Sequence, residues 1–413
     1  MLALSAALYL GQRNEPIWSP RTIILVAVFV RLLFLFRAPQ LSDDVYRYLW
    51  DGAATLSGHN PYSVSPAASA RIADAAPPLK LVNHPDLITI YPPAAQVVFA
   101  AGSFMGGWPG MKLLLVAMDV GVCLIMVKLL SLQKLPPTNA VVYAWHPLPV
   151  LEIAFSGHVD AAAVFFMMLA VFLLAAWRND GAALFMKNRI SAPLAGFFFS
   201  FAFMVKLFPL VLFPAYLRLA GAKGRPLFAA AAVAGVVALS FPFLPDLSNM
   251  FATLKVYLSN WEFAGFAFGI VRGLTSSGRV ARLALAAVFL AVVAISYRAL
   301  FSDKTNFTTG RPPASPFQPA LKSMYVVTLA FLLLTPTLHP WYALYLAFIL
   351  PFCPGAAGLV LTWGVLLSYR VLVPFALVGK WAETDDIPGL VWGAAVAAMI
   401  VSALAKRRSF RGY

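Results

Sequence analysis

The sequence predicts an all-α fold, a polytopic bundle of about twelve transmembrane helices with amphipathic interfacial helices in its first outer loop. The 413 residues are 61% hydrophobic and 11% charged, and the mean hydropathy is +0.80. Apolar runs of spanning length, roughly 20 residues, recur from end to end, and long stretches carry no charge. Strands of a membrane β-barrel would alternate in hydrophobicity over about ten residues, so helical spans are expected.

Twelve segments are apolar enough to be predicted as spans, and an even number places both termini on one side of the membrane. The spans are predicted at 20–37, 110–131, 138–155, 159–177, 190–206, 207–218, 226–243, 281–298, 322–338, 341–353, 355–372 and 388–405. We interpret 190–218 as a hairpin of two short helices with Lys206 near its tip. The basic residues on either side of this run favour one face of the membrane: Arg189, Arg218, Lys223 and Arg225.

Two helices of the first outer loop, at 44–57 and 92–107, are expected to lie along the interface. The stretch 92–107 is short and rich in Gly, and its N-terminal Pro pair suits the start of a helix. One integral-membrane domain is predicted over 1–413, with a first outer loop at about 38–109. Residues 1–10 are too short to span and lack a basic start, so we predict neither a helix nor a signal peptide there.

The charges indicate an orientation. The predicted inner side carries the whole net charge of +15, and the remaining acidic and basic residues balance. By the positive-inside rule this side is cytoplasmic, so the basic balance requires no nucleic-acid partner. The inner basic residues are Arg13, Arg21, Lys128, Lys134, Arg178, Lys187, Arg189, Arg218, Lys223, Arg225, Arg298, Lys304, Arg311, Lys322, Lys406, Arg407, Arg408 and Arg411. Cys123 and Cys353 each lie in an apolar run, so no disulfide is indicated.

The unusual polar residues converge on the outer side of this topology. Ionisable groups near the hydrocarbon are expensive, and they usually face a cavity, pair with one another or bind something. A carboxylate at a cavity mouth can act as a general base, and a cation can stabilise a departing phosphate. The candidate catalytic residues are Asp43 and Asp44. The candidate substrate-binding residues are Arg47, Tyr91, Glu152, His158, Asp160, Lys206, His339, Trp341 and Tyr342.

Structural interpretations compete with these roles. Asp43 and Asp44 could simply cap the helix that follows, because acids are favoured at a helix start. The trio Glu152, His158 and Asp160 could hydrogen-bond neighbouring helices or bind a metal, although its spacing matches no strong metal signature.

Further polar residues also have two interpretations. The group His339, Trp341 and Tyr342 could form an interfacial aromatic belt. Three basic residues near an outer helix start could bind a donor phosphate or lipid headgroups: Arg272, Arg279 and Arg282. Asp119, in mid-helix, is predicted to be a structural hydrogen-bond partner.

Six ordered blocks between about residues 40 and 345 resemble a known superfamily. The blocks are "SDDVYRYLWDG", "GHNPY", "NHPDLITIYPPAAQ", "SGHVDA", "VKLFP" and "TLHPWY". They resemble the GT-C integral-membrane glycosyltransferases, especially the bacterial polyprenyl-phosphate-mannose-dependent mannosyltransferases. They are more loosely similar to the GPI-anchor mannosyltransferase, which has an acidic motif, then "SPY", then "YTP". The resemblance is specific for the superfamily and weak for the sugar or acceptor.

The resemblance implies an outward-facing enzyme whose leading acid activates the acceptor hydroxyl. Spacing back from Trp50 and Asp51 places this acid on Asp43. Asp44 departs from the acidic-x-acidic form, which has its second acid where Val45 stands here.

We therefore expect an inverting glycosyltransferase in a bacterial inner membrane, with cytoplasmic termini and an active site facing outside. It would move one sugar, with mannose expected, from a polyprenyl-phosphate donor to a hydroxyl of a glycan or glycolipid acceptor. No nucleotide sugar and no cofactor are expected, since the sequence has no Gly-rich loop of the P-loop or Rossmann form. A divalent metal is not indicated. The alternative is a transporter or flippase, which would place ionisable residues at mid-depth.

Overall fold

A computed structural model of the protein describes residues 18–69, 76–178, 190–302, 317–383 and 386–411. The main helices are α1 (Pro20–Leu35), α2 (Asp44–Leu56), α3 (Pro93–Phe104), α4 (Gly107–Leu132), α5 (Asp160–Arg178), α6 (Ser191–Val205), α7 (Phe213–Ser240), α8 (Asn249–Asn260), α9 (Phe266–Thr275), α10 (Gly278–Phe301), α11 (Gln318–Leu334), α12 (Ala356–Gly364), α13 (Leu372–Val378) and α14 (Asp386–Arg411). These ranges contain two isolated β-bridges and no strand, which confirms the prediction of an all-α protein.

Six helical stretches in the described ranges are long and apolar enough to cross a membrane. They are Gly107–Leu132, Asp160–Arg178, Phe208–Phe243, Gly278–Phe301, Ala356–Val378 and Asp386–Ala405. The chain is therefore a membrane protein, as predicted. The total of twelve spans stays a prediction. The two helices expected in the first outer loop are present as α2 and α3, which pack against each other.

Two of the predicted spans are not continuous helices. The run 138–155 is divided into short pieces, Pro137–Ala140, Val141–Ala144, Pro147–Pro149 and a π-helix at Val150–Phe155. The run 341–353 holds only the short helices Pro340–Ala343 and Leu344–Ala347. Proline removes backbone donors and breaks regular helix. Both runs are largely buried among other helices, where irregular backbone is tolerated at membrane depth.

The chain changes direction on both sides of the segment 207–218. Lys206 has extended backbone after α6, and a 3₁₀ turn then leads into α7. Within α7, Gly221 has φ 69° and ψ 173°, a conformation that glycine adopts readily. The rings of Phe213 and Phe228 lie 5.7 Å apart across this break, which requires a reversal. The segments 207–218 and 226–243 thus run in different directions within the stretch Phe208–Phe243, and their assignment as two spans stays a prediction.

Helix α5 lies at the centre of the bundle, since more of it is buried than of any other of the six stretches. Its first residue, Asp160, lies at the end of the bundle that carries the polar site. Its last residue, Arg178, lies near Arg218 at the opposite end, where Arg225 also stacks over the Phe301 ring. These three arginines belong to the predicted inner set. Five of the predicted inner basic residues and the segment 1–10 lie outside the described residues: Arg13, Lys187, Arg189, Lys304 and Arg311.

A buried ion pair ties α1 to α4. Arg31 Nε donates to Asp119 Oδ2, and both side chains are completely buried. Tyr143 donates its hydroxyl proton to the other Asp119 oxygen at 2.6 Å. Asp119 is therefore a structural hydrogen-bond partner, as predicted.

Candidate active site

A cavity of about 1500 Å³ opens at the end of the bundle where α5 begins and α6 ends. Its walls come from distant parts of the chain: the start of α2, the loop before α3, the end of α6 and the segment after α11. Nine of the eleven predicted site residues line it: Asp43, Asp44, Arg47, Tyr91, Asp160, Lys206, His339, Trp341 and Tyr342. The leading acid and the predicted phosphate-binding lysine therefore share one cavity.

The two acids are held together by an amide. Asn83 Nδ2 donates to Asp43 Oδ1 at 3.0 Å and to Asp44 Oδ1 at 2.6 Å. Asp43 occupies the N-cap position of α2, yet its side chain accepts no hydrogen bond from the helix backbone. The capping interpretation therefore does not account for the Asp43 carboxylate. Asn83 thus links the two carboxylates.

The loop that carries Asn83 is fixed by contacts on both sides. The next residue, His84, has φ 44°, a left-handed conformation that is uncommon outside glycine. Its carbonyl accepts from Arg47 Nη1 at 3.3 Å, and its ring meets the Trp261 ring at 4.9 Å. Arg47 also donates to Asp51 at 3.0 Å. Arg47 thus lines the cavity, and its charge is balanced within α2.

Asp44 is more enclosed than Asp43. Its side chain is 18% exposed, whereas Asp43 is exposed. Tyr48 donates to Asp44 Oδ2 at 3.3 Å, and His158 Nδ1 lies 3.7 Å from the same oxygen. Burial raises the pKa of Asp44 above its ordinary value, while nearby Lys206 acts in the opposite direction.

Lys206 reaches the cavity from the C-terminus of α6. Its Nζ lies 3.6 Å from Asp160 Oδ2 and 4.9 Å from the centre of the Tyr91 ring. The other Asp160 oxygen accepts from the Tyr345 hydroxyl at 2.9 Å. The ammonium is only partly exposed, so its charge acts on the cavity with little screening.

Glu152 and His158 are fully buried and lie behind the cavity lining. The His158 ring stacks on Trp341 with centroids 3.9 Å apart, and Trp341 stacks on His339 at 4.3 Å. Phe263 stacks on His339 at 4.9 Å, which completes a row of four rings along one wall. The aromatic-belt interpretation does not account for this inward packing.

The structure adds residues that the sequence prediction missed. Tyr345 supports Asp160, Tyr369 bonds Glu152, and Tyr257 shares a hydrogen bond with Tyr342. All three line the cavity. Tyr345 belongs to the same "HPWYALY" stretch as His339 and could have been chosen from it. Tyr257 and Tyr369 lie in ordinary amphipathic or apolar sequence, which gives no such signal.

One wall of the cavity is apolar. It is formed by side chains of α8, α10, α11 and the turn after Lys206: Leu207, Phe208, Val211, Leu254, Leu258, Leu283, Ala286, Phe289, Phe331 and Leu334. Lys206 thus lies where the charged and apolar walls meet.

The outer basic residues are partly neutralised. Glu262 pairs with Arg272 and, at 3.0 Å, with Arg282, and both guanidinium groups lie over the Phe268 ring. Arg282 lines the cavity. Among the described residues, no group of three or more His, Cys, Asp or Glu side chains is arranged to hold a metal ion. The absence of a cofactor stays a prediction.

A scan against protein-family models and a search of curated proteins gave no match to this chain.

Proposed function

We propose that the protein is an inverting glycosyltransferase that takes one sugar, with mannose expected, from a polyprenyl-phosphate donor. The observation that carries the proposal is the cavity shared by the acidic pair, Lys206 and a long apolar wall. A base, a cation for a phosphate and a surface for a lipid chain are the three parts that such a reaction needs. The GT-C resemblance of the sequence agrees with this assignment.

The charges of the cavity favour a donor with a single phosphate. Each cation that lines it already has an acidic partner: Arg47 has Asp51, Lys206 has Asp160 and Arg282 has Glu262. The cavity therefore has little positive charge to offer a diphosphate. A sugar phosphodiester carries one negative charge, and the partly exposed Lys206 ammonium can contact it while keeping its pair with Asp160. The isoprenoid chain would lie along the apolar wall, where burying its surface is favourable.

The reaction exchanges one C–O bond for another at the sugar carbon and moves one proton. The acceptor oxygen attacks the anomeric carbon, and the bond from that carbon to the phosphate oxygen breaks on the opposite face. The electron pair leaves with the lipid phosphate, whose developing charge Lys206 stabilises. A carboxylate of the acidic pair, for which the sequence favours Asp43, takes the proton of the acceptor hydroxyl. Holding donor and acceptor in line supplies much of the acceleration.

The test uses the purified full chain in detergent or nanodiscs. It is incubated with a panel of polyprenyl-phosphate sugars and with bacterial membrane extract as the acceptor source, and mass spectrometry identifies the product. We expect a product one hexose heavier than its acceptor. Asp43→Asn/Asp44→Asn should abolish transfer and still bind the donor. Asp86→Asn is the matched control, because Asp86 is exposed in the same loop and does not line the cavity.

A transporter or flippase would give a different result. It should move the lipid-linked sugar between leaflets of a vesicle without forming a product. Leaflet exchange without any product from the wild-type protein would contradict the enzyme assignment.

A further inference from the structure

Two buried polar side chains adjoin the acidic pair and have no part in the reaction described above. Glu152 and His158 are completely buried and do not line the cavity, so they do not touch a substrate bound there. This differs from the substrate contacts predicted from the sequence. Burying polar or ionisable side chains costs free energy, because each must lose its hydration.

The two side chains form a row that ends at Asp44. The Tyr369 hydroxyl donates to the Glu152 carboxyl group. Its oxygen lies 2.8 Å from Glu152 Oε2 and 3.0 Å from Oε1. His158 Nε2 lies 3.4 Å from Glu152 Oε2, and His158 Nδ1 lies 3.7 Å from Asp44 Oδ2. At 3.4 and 3.7 Å neither imidazole nitrogen has a hydrogen-bond partner among the described residues, so the two carboxyl groups must each move toward the ring for both contacts to become hydrogen bonds.

The backbone holds His158 between the two acids. Its own N–H donates to the Glu152 carbonyl at 2.9 Å. The preceding Gly157 has φ 77°, and a Cβ there would approach the side chains of Lys112 and Val45. This turn therefore packs directly on the first turn of α2. Stacking on Trp341 fixes the plane of the imidazole ring.

A single direction of donation satisfies every member of the row. Burial lowers the pKa of His158, and Lys206 and His339 act in the same direction, so the ring is neutral and carries one N–H. If Glu152 carries a proton, Tyr369 donates to Glu152, Glu152 donates to Nε2, and Nδ1 donates to Asp44. Asp43 has no equivalent support, because it is exposed and accepts only from Asn83.

We propose that Tyr369, Glu152 and His158 are positioning residues that orient the Asp44 carboxylate, and that Asp44 takes the acceptor proton. The inference rests on the proposed function, and it assigns the base to the second acid of the pair. As the acceptor oxygen bonds to the anomeric carbon, the proton of the acceptor hydroxyl passes to Asp44. The phosphate leaves with the electron pair of the broken bond, so the charges balance.

The test compares variants by kcat and KM with a polyprenyl-phosphate hexose. Asp44→Asn should lose transfer almost completely, whereas Asp43→Asn should lose less than about tenfold. His158→Phe keeps the stack on Trp341 and removes both nitrogens. It should lower kcat by about 100-fold, the cost of a misplaced catalytic group, with little change in donor KM. Glu152→Gln is the conservative rescue, because its amide can still donate to His158 and accept from Tyr369, whereas Glu152→Ala cannot.

The pH profile supplies a second readout. Asp44, Glu152, Lys206 and His339 are the charged or titratable groups that face His158. Loss of the Nδ1 donor should move the acid limb of kcat/KM to higher pH in His158→Phe. A fold defect alone would lower kcat without moving that limb.

Three outcomes overturn the inference. One is a loss in Asp43→Asn as large as that in Asp44→Asn. Another is wild-type kcat in His158→Phe, and a third is a loss in Glu152→Gln as large as that in Glu152→Ala. In each of these cases the wild-type protein still transfers sugar, so the proposed function survives. No transfer by the wild-type protein would overturn the proposed function and this inference together.

Discussion

Lys206 gives the most direct quantitative prediction. Its ammonium reaches the cavity at the end of α6 and is balanced by Asp160 at 3.6 Å. Lys206→Met keeps an unbranched side chain that is one atom shorter and removes the charge. The double variant Lys206→Met/Asp160→Asn removes both charges and retains an acceptor for the Tyr345 hydroxyl.

The magnitude follows from Coulomb's law. A phosphate charge about 4 Å from the ammonium gains about 4 kcal/mol at an effective dielectric constant of about 20. The Asp160 carboxylate, some 7 Å from that phosphate, would oppose binding by about 2 kcal/mol at the same dielectric constant. Lys206→Met alone loses the larger value and should raise the donor Kd about 1000-fold. The double variant loses only the difference, about 2 kcal/mol, and should raise Kd about 30-fold.

Donor binding is measured with a polyprenyl-phosphate hexose and the purified full chain in detergent. Binding by Lys206→Met within threefold of wild type would refute phosphate recognition by this lysine. A double variant that binds no better than Lys206→Met would refute the opposing role of Asp160.

Two further predictions concern pH and stability. Transfer should decrease as the pH falls, because Asp44 must be ionised and burial raises its pKa above the ordinary 3.8. Lys206→Met should move the acid limb of kcat/KM to higher pH, because Lys206 lowers the pKa of Asp44. A flat profile in a pH series would contradict this. Arg31→Met should destabilise the protein by about 3–5 kcal/mol, because it leaves the buried Asp119 charge with Tyr143 as a donor. Thermal unfolding should show partial recovery in Arg31→Met/Asp119→Asn, and equal melting of both variants would contradict the prediction.

The sequence predicted where the polar residues meet because topology alone brings helix ends to one face. Asp160 begins α5 and Lys206 follows α6, so a bundle that alternates in direction must place them together. The same logic places Trp341, after α11, in the same cavity. This topological argument does not predict which side chains pair within the cavity. The hydrogen bond from Tyr369 to Glu152 joins segments more than 200 residues apart, and neither segment has a sequence pattern that indicates this pairing.

Hydropathy also could not predict the irregular segments. The run 138–155 is mostly apolar, so its hydropathy matches a span, but its prolines divide it into short helices and a π-helix. That irregularity is useful at Glu152, because a π-helix widens the local turn and changes the direction in which side chains point. Hydropathy measures burial and does not measure backbone continuity.

Lys112 shows how an ordinary-looking residue can fix the geometry of the segment that leads to the acidic pair. It lies near the start of α4, is completely buried and donates to the carbonyls of Phe34 and Arg37 at 2.8 and 2.6 Å. Phe34 lies in the last turn of α1 and Arg37 lies just beyond it, where a cation is favoured at the C-terminus of the helix. The chain from Arg37 to Asp43 therefore leaves α1 from a fixed point.

The same Lys112 side chain packs against Gly157, which precedes His158. Lys112 thus contacts both the end of α1, from which the chain leads to the acidic pair, and the turn at Gly157 before His158. The proposed transfer requires a base held to within fractions of an ångström, and these contacts fix the acidic pair from the protein interior.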